Sequence, residues 1–146
     1  MPVASDEDVF EAVHAVMHLF RARQYRALRD GPNALGHMDG KALGFFARHP
    51  GATLSDLVAH SGRDKGQLAR LIAGLKERGL LDARPDAADR RNLRLSLTAA
   101  GLAVHRGAQR RRRRLAEAAV AGFTAEQRRQ LLALLQRVRA NLEATA

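Results

Sequence analysis

Apolar residues recur at helical spacing along most of this chain, and the pattern changes to alternation after Gly79. Val9, Phe10, Val13, Val16, Met17, Phe20 and Leu28 mark one face of a long amphipathic helix running from about Ser5 or Asp6 to Arg29. Its acids, Asp6-Glu7-Asp8, sit at the start, and Arg21, Arg23, Arg26 and Arg29 occupy the C-terminal half, the arrangement a helix dipole favours. Gly31-Pro32 stops it. Gly36-His37-Met38-Asp39 opens a second helix, which offers Leu43, Phe45 and Phe46 to a core before His49-Pro50-Gly51 ends it. Thr53-Leu54-Ser55-Asp56 reads as a cap, followed by a short helix with Leu54, Leu57 and Val58 on one side and a stop near Ser61-Gly62. Asp64-Lys65-Gly66-Gln67 then has the form of a capping box, with Asp64 accepting from the Gln67 N–H and Gln67 reaching back. Leu68, Leu71, Ile72 and Leu75 give this helix a buried stripe as far as Arg78.

Beyond Gly79 the period becomes two. Leu81-Asp82-Ala83-Arg84 and Leu93-Arg94-Leu95-Ser96-Leu97 predict two antiparallel strands, joined by a polar tip from Pro85 to Asn92. Thr98 is placed to cap a long helix reaching about Val120, with a break at Gly122. Thr124-Ala125-Glu126-Gln127 caps a last helix, whose Leu131, Leu132, Leu134, Leu135, Val138 and Leu142 form a broad apolar face. Two short helices across a tight glycine turn, followed by a hairpin, describe a winged helix-turn-helix. The fold class is therefore mainly α with a small β-hairpin wing, flanked by N- and C-terminal helices.

The helix from Asp64 to Arg78 leaves Lys65, Gln67, Arg70 and Gly74 off its apolar stripe. Donors on the first two turns of a short helix suit the DNA major groove, where Arg reads guanine and Gln reads adenine. Gly66, without a side chain, permits close backbone approach to DNA. An ordinary amphipathic surface helix has the same pattern. At the hairpin tip, Arg90 and Arg91 follow Asp89. An arginine there can enter a minor groove, held in place by the carboxylate, although a merely solvated turn would also have this composition.

Four stretches in order carry a resemblance: Asp64-Lys65-Gly66-Gln67-Leu68-Ala69-Arg70-Leu71, Lys76-Glu77-Arg78-Gly79-Leu80-Leu81, Asp89-Arg90-Arg91-Asn92, and Leu97-Thr98-Ala99-Ala100-Gly101. Together they resemble the MarR family of bacterial winged-helix transcription regulators. The resemblance implies an N-terminal helix and two C-terminal helices that build a homodimer, with a DNA-reading domain between them. The implied division is 1–34 for an N-terminal dimerisation helix, 35–101 for the DNA-binding domain and 102–146 for a linker and dimerisation helices. Lys65, Gly66, Gln67 and Arg70 fall where the family contacts bases and phosphates. Arg91 matches its minor-groove arginine and Asp89 the acid that orients it, with Arg63 and Arg90 beside these positions. Two such lobes suit a palindromic operator. The expected function is a ligand-responsive regulator, most readily a repressor, that is released by a small aromatic acid or phenol.

Composition narrows the alternatives. In 146 residues there is room for one compact domain, or for one small domain plus dimerisation arms, and 4% aromatic content means a core mainly of Leu, Ala and Val. A formal charge of +10 favours nucleic acid as partner over an anionic membrane surface, and the resemblance makes it double-stranded DNA. The absence of cysteine removes disulfides, thiolate metal sites and cysteine-based peroxide sensing. No apolar run approaches a membrane span and the N-terminus lacks a leader pattern, so a cytoplasmic protein is expected. No nucleophile elbow or phosphate loop points to an enzyme, and no cofactor is expected. His14 and His18 stand four apart on one helix and offer two zinc ligands, but no third ligand follows in a diagnostic motif. A zinc-responsive regulator, or a winged helix that binds RNA or protein, is the alternative. Arg110 to Arg114 are consecutive and wrap the whole helix; they read as a solvated surface, or as charges facing phosphates or a partner subunit's acids.

On the first helix, His14, Arg21 and Tyr25 lie along one strip at spacings of seven and four, with His18 beside it. In MarR proteins the effector pocket lies between the dimer helices and the winged domain. The strip, with Phe45 or Phe46 as apolar wall, is therefore the candidate effector site. Arg21 would pair with a carboxylate while the histidines and Tyr25 orient an aromatic ring, so an aromatic carboxylate is the expected ligand. The alternative is a hydrated helix edge.

Overall fold

A computed structural model describes residues 3–31 and 33–145. It contains α1 (Asp6–Arg29), α2 (His37–Arg48), α3 (Leu54–Ser61), α4 (Lys65–Glu77), β1 (Leu81–Pro85), β2 (Leu93–Leu97), α5 (Ala99–Ala119) and α6 (Ala125–Ala144). Local chemistry sets most of these boundaries. Ser5 accepts from the Asp8 N–H and Asp8 returns to the Ser5 N–H, a closed capping box at the start of α1. Thr53 with Asp56 and Thr124 with Gln127 repeat that box before α3 and α6. Asp64 accepts from the Gln67 N–H at 3.0 Å, but the expected return from Gln67 is not made. The exposed Gln67 amide is solvated where it stands and has no need to fold back. Pro32, half of the predicted stop after α1, lies outside the described residues; the helix gives way at Asp30, whose N–H still bonds the Arg26 carbonyl.

The chain divides into two compact units, with the boundary between Arg112 and Arg113 inside α5. In the first, α2, α3, α4 and the hairpin share a core of Leu35, Leu43, Phe46, Leu57, Leu68, Ile72, Leu75, Leu80, Leu81 and Leu95. The stripe predicted for α4 is the stripe that is buried, with Leu71 at its edge. The strands pair antiparallel with Leu81 opposite Leu97 and Ala83 opposite Leu95. Alternation places Leu81 and Leu95 inward while Leu93, nearer the tip, stays exposed. A single bridge from Ala52 to Leu95 attaches the connection between α2 and α3 to the hairpin's second strand.

Phe45 and Phe46 correct one expectation. They are 4% and 1% exposed, and their rings meet edge to face with centroids 5.2 Å apart. Ala42 to Phe46 is buried without interruption, so α2 is enclosed on more than one side and both rings face the winged core, where removing their apolar area from water stabilises the fold. Neither forms a wall of the strip on α1.

At the far end of α1, Leu28 reaches the core and its carbonyl accepts the Leu35 N–H. The rest of that helix buries nothing: Val16 and Leu19 are 61% and 60% exposed. The second unit, from Arg113 on, holds the end of α5, a turn at Gly122 in the left-handed region and α6. No residue of α6 is buried either, and Leu132, Leu134 and Leu142 are open.

Candidate nucleic-acid interface

Once its core stripe is buried, α4 presents two exposed strips. Lys65, Ala69, Ala73 and Lys76 follow one another at helical spacing on the first, and Gly66, Gln67 and Arg70 stand on the second. The first strip borders a groove of about 310 Å³ whose opposite side is the wing, through Arg91, Asn92 and Leu93, and whose end is the start of α3, through Thr53 and Ser55. The structure thus brings Lys65 and Arg91 to one groove. Gln67 and Arg70 lie outside its lining, on the adjoining face of the same helix, and Arg63 is exposed in the turn that precedes it. Small Ala69 and Ala73 between two lysines leave the helix accessible to a bulky polyanion, and the start of α3, closed by its Thr53–Asp56 capping box, borders the same opening. Lys76, Ser55 and Asn92 were not among the candidates read from sequence. The spacing of Lys65, Ala69, Ala73 and Lys76 was a signal for the first, but the other two arrive only through the tertiary fold.

The exposed Arg70 of α4 is loosely held. Arg70 Nε reaches the Gly66 carbonyl at 3.4 Å, a long contact that leaves the guanidinium free to reorient. A side chain on Gly66 would lie 3.1 Å from a carboxylate oxygen of the capping Asp64, so the helix start is tight there without being closed to alanine.

The wing tip is more ordered. Arg91 donates to Asp89 Oδ1 twice, from its backbone N–H at 3.1 Å and from Nε at 3.2 Å. The side chain of Arg91 remains 92% exposed, so the ion pair orients the guanidinium without shielding it. Arg90 is exposed beside it. At the base of the tip, Asp86 meets Arg94, and this hydrogen bond holds the Asp86 carboxyl below the usual carboxylate range.

A second candidate site lies on α1. His14, Met17, His18, Arg21, Ala22 and Tyr25 line a shallow cleft of about 260 Å³. The predicted strip is therefore one continuous surface, although its apolar lining comes from Met17 and Ala22. Tyr25 Oη lies 3.2 Å from His37 Nε2, with the rings 4.0 Å apart, and ties this end of α1 to the start of α2. Burial lowers the His37 pKa first, and the charges of Lys41, Arg63 and Arg21 lower it further. Cationic residues of three segments thus contribute to the field at one imidazole. Among the described residues, no three His, Cys, Asp or Glu side chains gather as a metal site, and no helix is long and apolar enough to cross a membrane.

The MarR family model matches residues 37–92, from the start of α2 to the wing tip. A curated relative, the HTH-type transcriptional regulator PetP of Rhodobacter capsulatus, is 30% identical over 133 residues, covering 82% of this chain and 77% of PetP. Among solved structures the fold resembles MepR, a transcription regulator of the Staphylococcus aureus multidrug efflux pump MepA, with a TM-score of 0.81 at 18% identity over 95% of this chain and 99% of MepR. It also resembles Streptococcus pneumoniae FabT in complex with DNA, with a TM-score of 0.82 at 18% identity over 95% and 98% of the two chains. At such identities the likeness to the solved structures is one of fold, and the sequence matches carry the assignment. This chain belongs to the MarR family and is a DNA-binding transcriptional regulator, not an enzyme.

Proposed function

We propose that the protein is a cytoplasmic, homodimeric repressor that reads a palindromic operator with two winged lobes and releases it when an aromatic carboxylate binds along α1. In this reading residues 1–34 and 102–146 supply the dimer arms and 35–101 the DNA-reading domain. Arg63, Lys65, Gly66, Gln67 and Arg70 approach the major groove and its phosphates; Arg91, oriented by Asp89 and flanked by Arg90, enters the minor groove.

The observation that carries the dimer is that neither α1 nor α6 buries a single residue within one chain, while Val9, Phe10, Val16, Met17 and Leu19 of one, and Leu131, Leu132, Leu134, Leu135 and Leu142 of the other, stay exposed. Apolar faces of this extent on a monomer mark an association surface. A second copy supplies the same faces by symmetry.

The effector class rests on charge. An anion in the α1 cleft is met by Arg21, with Lys41 and Arg63 near the same imidazole, while His14, His18 and Tyr25 offer stacking and hydrogen bonding to a ring. Arg63 precedes α4, so neutralising charge here acts next to the DNA-reading helix. Titrating aromatic acids and their amides into operator-bound protein tests this: release by acid, not amide, and loss of release in Arg21→Ala support the reading. Equal release by both, or an unaffected Arg21→Ala, contradicts it.

A further inference from the structure

Arg94 lies on β2, outside the candidate DNA contacts, and is tied on two sides. Its Nε donates to Asp86 Oδ1 at 2.8 Å, and its Nη1 donates to the Gly51 carbonyl at 3.1 Å. Gly51 belongs to the connection between α2 and α3, and Asp86 to the wing tip, so one guanidinium joins the tip to the helix-turn-helix. The connection at Gly51 is itself fixed to β2, because its N–H reaches the Leu95 carbonyl at 2.9 Å and Ser96 Oγ at 3.1 Å. From Asp86 the contacts continue outward. The Asp86 N–H donates to the Asn92 carbonyl at 2.8 Å, closing the tip, and Asp86 Oδ2 accepts the Asp89 N–H at 3.2 Å. Asp89 in turn holds Arg91.

Every link from Gly51 through Arg94, Asp86 and Asp89 to Arg91 is a hydrogen bond; side-chain exposure falls from 92% at Arg91 through 42% at Asp89 to 17% at Asp86, and Arg94 itself is 53% exposed. Two of the three guanidinium nitrogens of Arg94 are already engaged within the protein. A planar fork that bonds a carboxylate with one nitrogen and a carbonyl with another fixes an angle between them, which a lysine ammonium does not.

We propose that Arg94 is a positioning residue for operator binding: without touching DNA, it fixes through Asp86 and Asp89 where the wing presents Arg91. This rests on the reading of Arg91 as a minor-groove contact. Its consequence is that Arg94 and Arg91 act as one unit, so their effects on binding are not additive.

The test uses the full chain in two arms. In the first, without DNA, amide exchange at Asp89 is compared in wild type and Arg94→Gln. Exchange should quicken by about 5-fold or more at Asp89 while the Leu81 to Leu97 ladder stays protected; unchanged exchange at Asp89 overturns the brace whatever Arg91 does. In the second arm, operator affinity is measured across salt for Arg94→Gln, Arg91→Ala and the double variant. Arg94→Gln should weaken binding by about 5- to 30-fold when Arg91 is present and by less than about 2-fold when it is absent. An equal loss in both backgrounds, with a shallower salt dependence, would make Arg94 a phosphate contact and overturn the proposal. Arg91→Ala without any effect would remove the minor-groove reading and the positioning role with it, leaving the first arm to report on the brace alone. Should Arg94→Gln fail to fold, Asp86→Asn weakens the same contact from the other end and should reproduce both results.

Discussion

The backbone of Gly101 lies so close to Leu80 that a side chain on it would fall inside the Leu80 carbonyl oxygen, which is how α5 starts against the exit of α4. Thr98 locks the approach: its hydroxyl donates to the Gly79 carbonyl at 2.6 Å and accepts the Gly101 N–H at 3.0 Å. The obstruction is backbone, which cannot swing aside. Gly101→Ala should therefore destabilise the fold by about 1–3 kcal/mol, the range for overpacking. Gly107→Ala, on the same helix with ordinary contacts only, should be neutral or slightly stabilising. Urea unfolding of the two variants checks the contrast; equal stabilities would show that α5 can move off Leu80.

Base reading and phosphate affinity should separate on α4. Arg70→Ala should cost about 1–3 kcal/mol on the preferred operator and relax the sequence preference at one position per half-site. Lys65→Ala, on the strip facing the wing groove, should weaken all duplexes alike and reduce the salt slope by about 1. Binding-site selection with each variant decides: an unchanged preference for Arg70→Ala removes it from the reading set.

At the wing, Arg91→Ala should weaken operator binding by about 5-fold or more while leaving the melting temperature unchanged, because the side chain is exposed and contributes no packing. Asp89→Ala should lose less in the same direction, since it orients the arginine and does not replace it. Affinity at matched salt and thermal melting, measured together, distinguish a DNA contact from a structural ion pair.

His37 and His105 give stability a pH dependence. Both have pKa values lowered, in each case first by burial and then by neighbouring cations, Lys41, Arg63 and Arg21 for His37 and Arg48 for His105. The folded state binds these protons less readily than the unfolded chain, so stability is full above the ordinary histidine value of about 6.5 and is lost as pH falls below it. Melting temperature should drop as pH falls below about 6.5, and His37→Gln should flatten part of that drop. A His37→Gln protein with the wild-type pH profile would exclude His37 from the effect.

Most of the architecture was legible because it is written locally. Period 3.6 against period two separates α4 from the hairpin, and Ser5, Thr53, Asp64 and Thr124 mark helix starts within a few residues of chain. The cleft on α1 was legible for the same reason, since His14, Arg21 and Tyr25 share a face by spacing alone. What was missed depends on non-local packing. Leu43, Phe45 and Phe46 were legible as core residues, but the five consecutive buried residues from Ala42 to Phe46 carry no periodic signal, so nothing in the sequence separated that role for the two rings from a wall of the α1 strip. Ser55 and Lys76 become neighbours of Arg91 only when the hairpin folds back beside α4, and Gly51, Asp86 and Arg94 meet across 43 residues of chain.

Selection of binding sites from random duplex, followed by the mass of the purified protein–DNA complex, tests the central claim most directly. Two winged lobes related by two-fold symmetry predict one enriched inverted repeat, its half-sites spaced by about one helical turn, with two chains per duplex. Enrichment of an asymmetric site bound by one chain, or no enrichment over random duplex at physiological salt, would contradict it.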